Sequence, residues 1–81
     1  MARILDTDYM EQYRLALKAV IQHSGNAYAI NYARAGYGMT AGHEVHAQCL
    51  YVLSNLAQWR GKEARAAKEI LQDIARRSER C

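Results

Sequence analysis

Thr40-Ala41-Gly42-His43-Glu44-Val45-His46-Ala47-Gln48-Cys49-Leu50-Tyr51-Val52-Leu53-Ser54-Asn55-Leu56-Ala57-Gln58-Trp59-Arg60-Gly61 is the stretch whose reading decides the fold. Val45, Cys49, Val52, Leu53 and Leu56 recur at steps of four, three, one and three, which stacks them into one stripe of an α-helix that leads on to Trp59. Thr40 stands where an N-cap is wanted. Gly61 breaks or bends the chain, because glycine inside a helix costs about 1 kcal/mol relative to alanine and readily takes the left-handed conformation. The reading is a central core helix, the longest of the chain, with a helical hairpin turning at Gly61.

Downstream, a helix over about Lys62 to Ser78 presents Ala64, Ala67, Ile70, Leu71 and Ile74 to a partner, and the two alanines permit close approach. Upstream, Asn26 caps a short helix that Gly36 stops, with Tyr28 and Tyr32 one turn apart. A first helix runs from Asp8 to His23. Asp8 followed by Glu11 has the pattern of a capping box, and Gly25 suits the left-handed position just past the end. Met10, Tyr13, Leu17, Val20 and Ile21 make its apolar stripe, opposite Glu11, Arg14, Lys18 and Gln22.

Composition agrees with helices throughout. The chain of 81 residues has no proline, fourteen alanines and only ten β-branched residues, which argues against a β fold. The expectation is one all-α domain spanning residues 1–81, with an N-terminal helix packed on a short helix and a long helical hairpin. A chain this short struggles to bury enough apolar area to offset the entropy of ordering it, so self-association into a homo-oligomer through tyrosine-rich or alanine-lined faces is expected. No apolar run is long enough for a membrane span, and Met1-Ala2-Arg3 leads into acids, so a cytoplasmic protein with no membrane partner is expected. Cys49 and Cys81 are too few and too differently placed for a disulfide framework and are read as thiols.

The formal net charge is +3, a weak preference for anions. Arg65, Glu69, Asp73 and Arg77 bring both signs to the last helix, which marks a solvated face and counts against nucleic acid as partner. His43, His46 and Cys49 have metal-binding side chains at steps of three, but the arrangement is not His-Glu-x-x-His. On an ideal helix Cys49 is rotated about 120° from His43, so no metal site is assigned. No serine or cysteine sits in a nucleophile setting and no carboxylate pair is evident, so an enzyme is not expected, nor a cofactor.

Three features remain. Glu44, Gln48, Tyr51 and Asn55 make a polar stripe beside the apolar one, read as a solvated face or, if buried, as one turned to another helix, another subunit or a polar ligand. Six tyrosines in a chain without phenylalanine suit half-buried surfaces, such as subunit interfaces or pockets that stack rings. The segment from Arg34 to His43 holds three glycines, Tyr37 and Thr40 ahead of a long helix, and free N–H groups at a helix start favour phosphate. The candidate ligand-binding set is therefore Tyr28, Tyr32 and Tyr37 to stack or line, Arg34, His43 and Arg60 to neutralise phosphate, and Thr40 to donate hydrogen bonds.

Tyr32-Ala33-Arg34-Ala35-Gly36, Met39-Thr40, Gln48-Cys49-Leu50-Tyr51-Val52-Leu53-Ser54-Asn55-Leu56 and Trp59-Arg60-Gly61 together resemble small helical proteins encoded by phages and prophages. That resemblance covers about residues 26–75 and brings no catalytic residues with it. It implies a phage setting and the host cytoplasm, where small non-enzymatic proteins act against host defence. The expected function is sequestration of a small cyclic or linear nucleotide signal. An inhibitor docking onto a host defence protein through a helix face is the alternative, and nucleic-acid binding with steep salt dependence a weaker one.

Overall fold

The computed structural model describes residues 7–40 and 42–78. They form four helices, α1 (Thr7–His23), α2 (Ala27–Gly36), α3 (Gly42–Ser54) and α4 (Lys62–Ser78), and no strand among the described residues. The expected all-helical class is the observed one. Each helix packs on the next, and α4 closes back onto α1, so the four ring a shared core. The residues assigned to Met1-Ala2-Arg3 and Cys81 in the sequence reading lie outside the described residues.

The core is built from the periodic stripes. Met10, Tyr13, Leu17 and Val20 of α1 are buried, as are Val45, Cys49 and Val52 of α3 and Ala64, Ala67, Leu71 and Ile74 of α4. Ile21 and Ile70 are only half-buried and pack on the edge of this cluster, while Ala75 is buried in addition. Removing such stripes from water is the main term holding the helices together, at roughly 25 cal/mol per Å² of apolar surface.

Four details differ from the sequence reading, each for a local reason. α1 starts at Thr7, so Asp8 lies inside its first turn and is not its cap. α3 starts at Gly42, which leaves Thr40 one residue ahead of the capping position rather than on it. It also ends at Ser54, at 13 residues, and is shorter than the 17 residues of α1 or α4. There the Ser54 hydroxyl (2.9 Å) and the Asn55 amide (2.9 Å) both donate to the Tyr51 carbonyl, and Asn55 and Leu56 N–H groups reach back only three residues, to Val52 and Leu53. Side chains that compete for backbone carbonyls and a tightened last turn end the helix seven residues before Gly61. Leu56 is still buried and Trp59 half-buried, so the apolar spacing continues through a connection that is not helical.

Gly36 does not stop α2 by turning the chain. It is the last helical residue, and its φ is not in the left-handed region, unlike Gly25 (φ 67°) and Gly61 (φ 117°), where the chain reverses. Gly36 is needed for space instead: a Cβ there would lie 2.6 Å from the Gln48 Cγ and 2.6 Å from the Tyr13 Oη. α2 buries only Ala29, Ala33 and Gly36, so it is held by close approach and by polar bonds rather than by large apolar side chains. The buried Tyr13 hydroxyl donates to the Gly36 carbonyl (2.7 Å), and Arg14 Nε donates to the Tyr37 carbonyl (3.3 Å). The Gly36 carbonyl also accepts the Met39 N–H (3.0 Å), so the carbonyls at the end of α2 are bonded by the following turn and by α1 side chains. From the other side the Gln48 amide donates to the Tyr32 carbonyl (2.6 Å). The polar stripe of α3 therefore faces α2 at Gln48 instead of water, and Tyr51 of that stripe stacks on Tyr32.

Candidate functional site

α2 and α3 run side by side, with the turn at residues 24–26 next to the connection at residues 55–61. Between them lies a crevice of about 490 Å³, lined by Ser24, Gly25, Asn26, Asn55, Gln58, Trp59 and Arg60. Asn26 has the extended backbone of an N-cap (φ −99°, ψ 115°), and its side-chain oxygen accepts the Ala29 N–H at 3.0 Å. The Asn26 carbonyl accepts the Ile30 N–H at 2.9 Å, and the Asn26 N–H donates to the Ser24 hydroxyl at 3.3 Å. The N–H groups of Ala27 and Tyr28 are then the helix's open donors, at the positive end of its dipole and beside the crevice.

The facing wall is fixed by two bonds. Trp59 N–H donates to the Leu56 carbonyl (3.0 Å), and Lys68 Nζ of α4 donates to the Trp59 carbonyl (2.6 Å). Arg60 is exposed and borders both this crevice and a second hollow of about 440 Å³ behind it, which Arg65 and Lys68 also line. The lining of that second hollow holds three cations, Arg60, Arg65 and Lys68, and no acid. An indole, a guanidinium, three side-chain amides and a helix start thus converge on one polar hollow. This combination stacks a flat ring and holds an anion.

The seven predicted ligand residues fall into separate groups. Arg60 lines the crevice, and Tyr28 is two residues into the helix that opens on it. Tyr28 and Tyr32 lie exposed along one side of α2, where the Tyr32 ring is 5.4 Å from that of Tyr51 and tilted 24°. Arg34 is exposed but rotated about 120° from Tyr28 and about 160° from Tyr32 around the helix, so it shares neither ring's face. Tyr37, half-buried Thr40 and exposed His43 gather with Arg34 near the connection from α2 to α3. That end is the length of α2 away from Arg60, about 15 Å at 1.5 Å per residue. Thus the structure does not bring Arg34, Tyr37, Thr40 and His43 together with Arg60.

Asn26, Asn55, Gln58 and Trp59 were missed as site residues. In the sequence Asn26 reads as a cap and Asn55 and Trp59 as parts of stripes, while Gln58 is given no role. The signal available was the dipeptide Trp59-Arg60 beside a glycine, preceded by Ser54, Asn55 and Gln58.

Elsewhere the chemistry is spent on structure. Burial pushes the Cys49 thiol up to about 12, which keeps it protonated at neutral pH. Burial, then the neighbouring Cys49, also holds the Tyr13 hydroxyl well above the ordinary phenol range. The His46 ring donates from Nδ1 to the Ala75 carbonyl (2.7 Å), since a carbonyl can only accept, while His43 is exposed to solvent and Cys49 is in the core. Among the described residues no group of three or more His, Cys, Asp or Glu side chains could hold a metal ion, and no helix is long and apolar enough to cross a membrane. Comparison with known proteins found no matching family model, curated protein or solved structure.

Proposed function

We propose that this chain is a non-enzymatic binding protein that sequesters a small anionic, ring-containing molecule of the nucleotide class in the crevice between Asn26 and Arg60. One observation carries the reading: Trp59, Arg60 and the start of α2 border the same polar hollow of about 490 Å³, a volume in the range of small-molecule sites. In this reading the base stacks on the Trp59 indole. Arg60 and the open N–H groups of Ala27 and Tyr28 take phosphate, and the amides of Asn55 and Gln58 read the sugar or base edge. In the phage setting that the resemblance implies, withdrawing a nucleotide signal from the host is how such a protein counters defence.

Trp59 is the only tryptophan of the chain, so its emission reports on the crevice directly. A titration of nucleoside mono- and diphosphates and cyclic nucleotides is expected to quench or shift that emission saturably. Arg60→Ala is expected to weaken binding roughly 10- to 100-fold, the loss of one charge-assisted contact, with unchanged helicity. Arg34→Ala, at the far end of α2, leaves the affinity unchanged. Equal affinity in the Arg60 variant and the parent rejects this site.

A second reading, an inhibitor that docks on a host protein, has its own observation in a groove of about 610 Å³ between α3 and α4, lined by His46, Leu50, Leu53, Gln72, Ala75 and Arg76. Leu50 is 48% exposed there. Under this reading no nucleotide changes Trp59 emission.

A further inference from the structure

We propose that the outer face of α2 and α3 is a self-association surface, occupied by the same face of a second copy of this chain about a two-fold axis. Between Ala19 and Trp59 the only Asp, Glu, Lys or Arg residues are Arg34 and Glu44, while the 17 residues of α4 carry eight. Depletion of charge together with enrichment in tyrosine is the compositional mark of an interface core. The tyrosines are also placed to act as one. Tyr28 is 71% exposed, Tyr51 52% and Tyr32 38%, and the Tyr32 and Tyr51 rings stack across the two helices. A stacked pair is already ordered, so little rotamer freedom remains to be lost on association.

Area and charge favour a second copy over a different partner. Tyr28, Tyr32 and Tyr51 together present about 300 Å². That is more than a third of the roughly 800 Å² that each partner contributes to a standard interface, and it is the size of the largest patch on a typical monomer, which is often a functional one. With Arg34 turned away from the rings, Glu44 is the one charged residue of α2 and α3 left for this face, which offers nothing to select a strongly charged partner. Turned onto itself it brings no run of like charges together, and rings meet rings. None of the cavities described above is lined by Tyr28, Tyr32 or Tyr51, so the face is a docking plane and not a small-molecule pocket. The inference is independent of the nucleotide reading, whose crevice lies at one end of this face.

Sedimentation velocity across a micromolar concentration series tests it. The parent chain is expected to reach twice its 9.2 kDa mass. Tyr28→Glu and Tyr51→Glu, each at an exposed position, are expected to raise the dimer dissociation constant roughly 30-fold or more while helicity by circular dichroism is unchanged. Leu15→Glu, on the 60% exposed Leu15 of α1, leaves the dimer intact, as does Arg60→Ala. A parent that stays monomeric at every concentration overturns the proposal. So does an assembly that survives both tyrosine variants, or one that only the Leu15 variant dissolves.

Discussion

Gly36→Ala is the perturbation for which local propensity and tertiary packing predict opposite signs. Gly36 is the last residue of α2, so alanine there gains up to about 1 kcal/mol of helix propensity. The new methyl would lie 2.6 Å from both the Gln48 Cγ and the Tyr13 Oη. Both neighbours are buried and tied to α2, Tyr13 through the Gly36 carbonyl (2.7 Å) and Gln48 through the Tyr32 carbonyl (2.6 Å), so neither can swing aside without losing its bond. Overpacking costs about 1–3 kcal/mol, and a buried polar group left unpaired costs about 1–3 kcal/mol. With the propensity gain set against these, the net loss is about 1–5 kcal/mol, with a middle value of about 3 kcal/mol. For a domain of this size that lowers the Tm by roughly 10–25 °C, followed by circular dichroism at 222 nm or calorimetry. A variant as stable as the parent, or more stable, would refute the claim that Gly36 serves close approach.

Alkaline pH probes the buried hydroxyl and thiol. Unfolded, Cys49 ionises near 9.0 and Tyr13 near 10.0, whereas in the fold both are raised, Cys49 to about 12. The folded state therefore holds protons that the unfolded chain has lost, so stability is flat below pH 9 and falls as pH rises through 9 to 12, by up to about 1.4 kcal/mol per pH unit and group. Thermal melts from pH 7 to 10.5 check this, and a Tm that rises across that range would contradict it. In the same assay Cys49→Ala moves the onset upward by about a unit, toward the Tyr13 value. Asn26→Ala removes the cap bond to Ala29 and is expected to cost about 1 kcal/mol in denaturant unfolding; no measurable loss would show that the cap is carried elsewhere.

Much of this fold was legible in the chain. The stripe of Met10, Tyr13, Leu17 and Val20, the Asn26 cap and the span Lys62–Ser78 all follow from helical spacing and from residues whose side chains bond their own backbone. What spacing could not show is what a residue meets across the core. Gln48 belongs to a polar stripe that reads as solvated, yet its amide completes a bond to another helix. Leu56 and Trp59 keep the apolar rhythm of α3 after Ser54 and Asn55 have ended it, because burial in a loop and burial on a helix leave the same mark in sequence. Gly36 looked like punctuation because its crowded neighbours are 12 and 23 positions away.

The candidate site was legible only in part, for a related reason. Arg34 and Arg60 look interchangeable as phosphate partners until α2 is given a length and a direction, which puts them at opposite ends of the bundle. The helix start that meets Arg60 is that of α2, capped by Asn26, and not that of α3 near Thr40 and His43. Trp59 entered the sequence reading as core and emerges half-buried, with one side on the crevice.

The most direct test of the nucleotide reading is a two-dimensional ¹⁵N–¹H spectrum of the protein titrated with the nucleotide that most strongly alters Trp59 emission. The account predicts saturable shifts of the Ala27 and Tyr28 amides, the Trp59 indole N–H and the Arg60 amide, with the Gly42 and His43 amides unmoved. Shifts centred on Gly42 and His43, or a spectrum unchanged by every phosphorylated compound tried, would contradict it.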